Sequence, residues 1–433
     1  MLVKFTVGNF LSFKEKVTLD LRAEALKEFK NHLHIPYFHD PDEKLLKSVA
    51  VYGHNSHGKT NFLKGYAFFQ RFILTSFSAG NVTSKIDVEP FLFNTSMIDE
   101  PSFFEVTFIS RETKYRYGFK LNSQKIVEEW LFYSEPKIRE NYLFVRNGQD
   151  FQISKSWNKD SANRIEMQGL PFAKQPVLLL SVLSSLEKIP KIDSIFNWIK
   201  GNIVISNSNT DSLLSDASRI YSNSDCRNLI LKFIKSADLG FTTIFDKISE
   251  RMKVRPDMDK SFMAAIHESS INDFKLYVGH EVFNENHELV NTTSTELLKS
   301  ESSGSIKYFV TAAYLSYAIK QSQLIWIDEL DSSLHPLLLQ MLIKAYNRPE
   351  INANASQLIY TTHNTILMNK KLRRDQIVFV NKNKYGESFL ERMHTKERPI
   401  RIDKSVEKEY RDGDLGGVST KLKGGLFDDL KFE

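Results

Sequence analysis

Eight consecutive residues constrain this chain more than any other stretch. Gly53-His54-Asn55-Ser56-His57-Gly58-Lys59-Thr60 fits the pattern G-x-x-x-x-G-K-[ST], a loop that cradles phosphate when a buried strand precedes it and a helix follows. Both flanks are present. Ser48-Val49-Ala50-Val51-Tyr52 reads as a short buried strand, and from Lys59 to about residue 73 the apolar positions recur with a helical period. In that setting the glycines let the backbone wrap closely round an anion. Successive N–H groups and the helix N-terminus then point at it. Lys59 is expected to reach the outer phosphates of a nucleotide, and the Thr60 hydroxyl to bind Mg²⁺. The expected nucleotide-contacting set is Gly53, Asn55, Ser56, His57, Gly58, Lys59, Thr60 and Asn61. His54 and His57 fill variable positions. They read as solvent-facing loop residues, with a phosphate contact as the sharper alternative.

A second constellation lies far down the chain, a separation that calls for an inserted module between the two halves of the nucleotide fold. Leu324-Ile325-Trp326-Ile327-Asp328-Glu329 is an apolar run ending in two carboxylates. Asp328 is expected to hold Mg²⁺, and Glu329 to polarise the attacking water as general base. Ser302-Ser303-Gly304 opens a helix that reads as amphipathic through Ile306, Phe309, Ala313 and Leu315. Its N-terminus, with a serine hydroxyl and bare N–H groups, is an anion site or an ordinary serine cap. His363 ends the next expected strand, far enough beyond Asp328 for one helical crossover. Asp331 precedes Pro336, where helix capping is its bland reading.

Strands and helices alternate around these motifs as βαβ units, so an α/β class with a parallel core sheet is expected. Residues 1–21, the aromatic-rich stretch 101–121, and residues 127–133 and 142–153 read as antiparallel strands. Residues 178–186, 192–199, 212–220 and 226–236 are helical in pattern. The expected organisation is therefore 1–167, the first half of the phosphate-loop domain with an N-terminal antiparallel β subdomain; 168–265, a helical insertion; 266–400, the second half of the domain; and 401–433, a charged, glycine-containing tail of loose order.

Composition narrows the partners. A net charge of +5 over 433 residues is mild and makes no strong case for nucleic acid. The single cysteine, Cys226, rules out an intrachain disulfide and a multi-cysteine metal site, and suits a reducing cytoplasm. The opening residues lack the basic-then-apolar pattern of a signal peptide. The most apolar stretch, 177–183, is far short of a membrane span, so a cytoplasmic protein with no membrane partner is expected.

Taken together, Asn55, Gly58-Lys59-Thr60, Ser302-Ser303-Gly304, the run from Asp328 through Asp331 to Pro336, and Thr362-His363 resemble the RecF/SMC/OLD branch of the ABC ATPases. Asn9-Phe10-Leu11-Ser12-Phe13, Pro101-Ser102-Phe103-Phe104-Glu105-Val106, residues 372–380 and residues 405–417 are similar to a narrower group. That group is the RloA/AbiL-like abortive-infection ATPases and the ATPase subunit of PARIS antiphage systems. The resemblance implies an ABC-type P-loop NTPase that uses ATP and Mg²⁺. It implies that Ser302 and Gly304 read the γ-phosphate held by an opposite subunit, in a signature where Glu301 replaces the usual leucine. It places Asp331 in the loop that touches that subunit, and gives His363 a hydrogen bond to the γ-phosphate beside the catalytic Glu329. A homodimer or higher homo-oligomer with shared sites follows. For function it implies a nucleotide-driven switch in bacterial antiphage defence, controlling a separate effector such as an RloB-like or TOPRIM-type nuclease. The alternative is a RecF/SMC-like DNA-binding ATPase of repair or processing, with Lys370, Lys371, Arg373 and Arg374 as candidate DNA contacts. Little chain follows His363, and its acids lie in a glycine-rich tail, so no intrinsic nuclease is expected.

Overall fold

The computed structural model describes residues 1–36, 43–77, 85–136, 139–155, 177–185, 189–206, 210–241, 243–248, 274–369, 371–400 and 406–411. Two compact units share them. One comprises Met1–Ile205, Gln323–Asp328 and Ala355–Glu433, the other Ser206–Ser322 and Glu329–Asn354.

The chain opens with β1 (Leu2–Gly8), β2 (Val17–Asp20), β3 (Leu33–His34), β4 (Leu45–Leu46), β5 (Ser48–Tyr52) and α1 (Lys59–Thr75). Five strands follow: β6 (Ser102–Ser110), β7 (Thr113–Leu121), β8 (Ile126–Ser134), β9 (Asn141–Asn147) and β10 (Asp150–Ile153). Then come α2 (Leu179–Ser185), α3 (Pro190–Gly201), β11 (Ile203–Ile205), α4 (Thr210–Ser222), α5 (Ser224–Ala237) and β12 (Thr243–Ile248). Next are β13 (Phe274–Phe283), β14 (Leu289–Glu296), α6 (Leu297–Ser300), α7 (Ser303–Lys320) and β15 (Leu324–Ile327). The remainder is α8 (Pro336–Tyr346), β16 (Gln357–Thr361), β17 (Ile377–Lys382), β18 (Ser388–Arg392) and α9 (Val406–Arg411).

In the first unit the core sheet runs β11-β15-β16-β5-β17-β18, parallel throughout except for the antiparallel edge strand β18. Every residue of β5, β15 and β16 is buried, the near-continuous apolar reading that strands covered on both faces require. Ile327 pairs with Tyr360, and Thr361 with Val51, so these strands finish together. Open α/β sheets bind ligands at such carboxyl ends. A second, antiparallel sheet runs β10-β9-β8-β7-β6-β1-β2. The class, the parallel core and the N-terminal antiparallel subdomain are those of the expected ABC-type P-loop architecture.

Aromatic side chains wedge α1 between the two sheets. Tyr66 of α1 stacks on Trp326 of β15 at 4.7 Å and meets Phe5 of β1 edge-on at 5.1 Å. Phe69 stacks on Phe119 of β7 at 5.6 Å. Truncating such a ring typically costs about 3–5 kcal/mol, so the helix behind the phosphate loop is firmly seated. A buried carboxylate secures α2: Glu129 accepts from the N–H groups of Leu179 and Leu180 at 2.7 and 3.0 Å, and from the Tyr117 hydroxyl at 2.9 Å.

In the second unit α7 packs on α4 and α5, with the Tyr308 hydroxyl donating to Phe233 O at 3.1 Å. β12, β13 and β14 form a separate antiparallel sheet. Expected and observed elements differ in three places. The helical stretch 168–265 also contains β11, which extends the core sheet beside β15, and β12; its residues 168–176 and 249–265 lie outside the described residues. α7 is buried on nearly every face, not amphipathic, as helices apolar all round are; its tyrosines, Thr311 and Ser316 mask that in the pattern. The tail carries α9 with Tyr410 buried, while 401–405 and 412–433 lie outside the described residues. Among the described residues no helix is long and apolar enough to cross a membrane.

Candidate functional site

The phosphate loop leaves β5 at the centre of the core sheet and enters α1 through Gly58, whose φ of 111° is left-handed. A Cβ there would stand 2.6 Å from Ser388 Oγ and 2.7 Å from Ser12 Oγ, so only glycine fits. The same two serines brace the loop. Ser388 Oγ donates to His57 O at 2.6 Å, Ser388 N to Ser12 O at 2.7 Å, and Asn61 Nδ2 to Ser12 Oγ at 2.9 Å. Lys382, the last residue of β17, donates to Ser56 O at 3.2 Å. Asn55 and Ser56 are exposed; His57 is half-buried, its ring 5.4 Å from that of His54. Burial first, then the electrostatic influence of His54, Lys59 and Lys382, pushes the His57 imidazole below its ordinary value, a backbone hydrogen bond to Val380 opposing them. His57 is thus not the solvent-facing loop residue that its position suggests. Asn61 turns its side-chain amide to Ser12, a bracing contact that the motif alone does not reveal.

Lys59 is 7% exposed, its ammonium donating to Gly53 O at 2.8 Å and His54 O at 3.3 Å. Beside it, three oxygen-bearing side chains interlock. Thr60 Oγ1 donates to Asp328 Oδ2 at 2.9 Å, and Thr361 Oγ1 to Asp328 Oδ1 at 2.6 Å. Asp328 follows β15, is 5% exposed, and is anchored through its N–H to Ile205 O of β11. Mg²⁺ binds oxygen octahedrally at ~2.0–2.1 Å, so neighbouring ligands stand about 2.9 Å apart. Thr60 Oγ1 and the Asp328 carboxylate, now hydrogen-bonded to each other, are hard oxygen donors of the kind that would suit Mg²⁺. Among the described residues no cluster of three His, Cys, Asp or Glu forms a metal cage, and Mg²⁺ held together with substrate phosphate and water needs none. His363 is exposed, two residues beyond the end of β16. Thr362 fixes its approach, donating its N–H to Val51 O at 3.1 Å and accepting from Asn364 N at 3.0 Å.

Ser302, Gly304, Glu329 and Asp331 belong to the second unit. Ser302 caps α7, its hydroxyl accepting from Ser305 N at 3.1 Å; Ser302 and Ser303 are exposed. A Cβ on Gly304 would stand 2.8 Å from Ser333 O, so this glycine lets the Asp331 loop lie against the start of α7. Glu301 pairs with His280 of β13 at 3.2 Å, which gives the carboxylate at the leucine position a partner. Glu329 has φ 47° and Ser333 φ 60°, left-handed conformations uncommon outside glycine. Such outliers cluster at functional sites. His335, not Asp331, caps α8, accepting from Leu337 N.

Thr361, Ser12 and Ser388 are site residues that sequence reasoning does not single out. Thr361 lies two residues before His363 and Ser12 lies in the N-F-L-S-F run, so both are within its reach; Ser388 carries no local signal. Of the candidate DNA contacts, Arg373 is fully buried, paired with Asp375 at 2.8 Å, and Arg374 pairs with Glu28 at 3.2 Å. Lys371 is exposed, and Lys370 lies outside the described residues.

Residues 48–369, about three-quarters of the chain and including every expected nucleotide-site residue from Gly53 to His363, match the family described as "AAA domain, putative AbiEii toxin, Type IV TA system". No curated protein matches the chain in sequence. Among solved structures it is similar to an SMC head bound to the C-winged helix domain of ScpA, at 11% identity over 92% of this chain and 98% of that one, TM-score 0.44. An SMC head with an extended coiled coil, bound to the C-terminal domain of ScpA from Pyrococcus furiosus, is similar at 10% identity over 90% and 95%, TM-score 0.39. The recombination mediator protein RecF of the RecFOR pathway is similar at 12% identity over 90% and 98%, TM-score 0.28. With the family match spanning the phosphate loop, the Asp328 strand and His363, the chain belongs to that AAA-domain family and is an ATP-binding, ATP-hydrolysing P-loop enzyme.

Proposed function

We propose that the chain is an ATP-driven clamp or switch of the RecF/SMC kind, whose catalytic sites are completed by a second copy. The observation that carries this reading is the Thr60–Asp328–Thr361 interlock at the carboxyl ends of adjacent parallel strands, beside a buried Lys59. Lys59 and the N–H groups of the loop and the α1 N-terminus bind the β- and γ-phosphates of ATP. Thr60 and Asp328 hold Mg²⁺, which neutralises phosphate charge when bound. Glu329 takes the proton of the attacking water, and His363 hydrogen-bonds the γ-phosphate. Ser302, Gly304 and Asp331 serve the nucleotide of the opposing copy.

DNA processing is the reading placed first for what the switch controls, because the motif set from Asn55 to His363 resembles the RecF/SMC/OLD branch of the ABC ATPases. The burial of Arg373 and the pairing of Arg374 count against these two as DNA contacts, and Lys371 is exposed. The antiphage reading, with a separate effector nuclease, is second; the family's description as a toxin of a type IV system favours it. ATPase rates with and without linear DNA, alongside mass spectrometry of proteins co-purifying from the native host, separate the two. DNA stimulation with no stoichiometric protein partner supports the first. A stoichiometric nuclease partner with DNA-indifferent turnover supports the second. Absence of ATP turnover under every condition contradicts both.

A further inference from the structure

Tyr410 is buried although it lies in a stretch that reads as a loose tail. Its ring stacks on Phe379 of β17 at 5.4 Å and 16°, and meets Tyr52, the last residue of β5, at 6.0 Å. Its hydroxyl takes a backbone hydrogen bond from Gly53, the first residue of the phosphate loop. Burial pushes that hydroxyl up to about 12, so it stays a neutral hydrogen-bonding group at working pH. Gly53 O in turn accepts from the Lys59 ammonium at 2.8 Å.

Three residues earlier, on the same helix face, Glu407 accepts from Thr365 Oγ1 at 2.9 Å and from the Asn369 amide. Thr365 opens, and Asn369 closes, the short 3-10 turn Thr365–Met368 that follows His363 and Asn364. The Tyr52 hydroxyl donates to Asn364 O at 3.0 Å and closes the circuit. One phenol and one carboxylate of α9 therefore connect the loop that carries Lys59 to the turn that follows His363.

We propose that Tyr410 and Glu407 are positioning residues of the nucleotide site, α9 acting as a strap that holds Gly53 and the turn after His363 in a single register. The proposal rests on the reading of Lys59 and His363 as nucleotide-contacting groups. Neither strap residue acts on phosphate directly; Tyr410 works through Gly53, and Glu407 through the 3-10 turn. Their removal is therefore expected to tune the site, not to abolish it.

The test uses the full chain. Tyr410→Phe keeps the stack on Phe379 and drops only the hydroxyl. Glu407→Ala drops both acceptors, and Glu407→Gln restores one. A fluorescent ATP analogue with Mg²⁺ gives Kd, steady-state turnover gives kcat and KM, and thermal melting reports folding. Tyr410→Phe is expected to raise Kd and KM about two- to tenfold, the worth of one net hydrogen bond, with kcat near wild type. Glu407→Ala is expected to lower kcat by a similar factor with Kd unchanged, and Glu407→Gln to recover part of it. A lower melting temperature and active fraction with Kd and KM untouched would mean a purely structural role and overturn the proposal, as would wild-type behaviour in all three variants. Lys59→Ala run in parallel separates the two levels. If the wild type itself fails to bind the analogue, the nucleotide reading and the strap fall together. If the wild type binds, Lys59→Ala does not, and the strap variants match wild type, the strap alone falls.

Discussion

The phosphate-loop corner and the start of α7 both use a helix N-terminus, and the chain finishes them differently. At the corner, Lys59 and Asp328 are almost wholly buried, and the bracing bonds join residues far apart in sequence, such as Ser388 to His57 and Thr361 to Asp328. At the start of α7, Ser302 and Ser303 are exposed, and among the described residues the Ser302 hydroxyl bonds to Ser305. The first N-terminus is braced by side chains remote in sequence, such as Ser388 and Ser12, while the second is capped by its own Ser302, with Ser302 and Ser303 facing solvent. Preorganised donors stabilise charge without reorganising at the moment of reaction, so the corner suits tight nucleotide binding by a single copy. The α7 start, with Ser302 and Ser303 facing solvent, is the surface that the proposed reading assigns to another copy's site.

The largest effect expected on this comparison is at Glu329. Glu329→Gln preserves shape and removes the proposed base, a change that typically costs ~10²–10⁴-fold in turnover. Nucleotide affinity should persist, because Lys59, Thr60 and Asp328 are intact, and an ATP-bound assembly should accumulate in light scattering. Turnover near wild type would assign the base elsewhere.

Lys59→Ala comes next. Two or more charge-assisted hydrogen bonds, each worth about 1.5–3 kcal/mol, are lost, so ATP-analogue affinity should fall at least about 10²-fold. Unchanged affinity would break the claim that the corner binds nucleotide by itself.

Thr361→Val is a finer probe. It removes the 2.6 Å bond to Asp328 Oδ1 and leaves a buried acceptor unpaired, a loss of about 1–3 kcal/mol. A rise of at least about fivefold in the Mg²⁺ concentration needed for half-maximal turnover would show that the interlock orients Asp328. An unshifted Mg²⁺ dependence would reduce Thr361 to packing.

The contrast also explains what the sequence could reveal. The loop Gly53–Thr60, the strand before Asp328 and the βαβ alternation are local patterns, so they are legible in the sequence alone. The Ile203-Val204-Ile205 strand is not, because so short a run shows no period and its partner β15 lies far along the chain. The basic run 370–374 looks available to DNA because the acid that pairs Arg374 is Glu28, near the opposite terminus. α7 misleads through composition, since its buried tyrosines and hydroxyl residues count as polar in a hydrophobic pattern. Tyr410 is hidden in the same way: a charged, glycine-rich neighbourhood gives no sign of the aromatic pocket formed by Tyr52 and Phe379. The signature and Asp331 readings come from resemblance, because exposed serines at a helix start carry no chemical mark of a trans contact.

Mixing two inactive variants tests the shared-site account most directly. Lys59→Ala lacks the corner, and Ser302→Arg obstructs the α7 surface while leaving its own corner able to bind ATP. In a mixed two-fold dimer with shared sites, one site carries both lesions and the other carries neither. An equimolar mixture should therefore regain about a quarter of wild-type turnover, with half the dimers mixed and half their sites whole. No recovery, in a mixture where subunit exchange is demonstrated by differential tagging, would contradict the account and place each complete site within one chain.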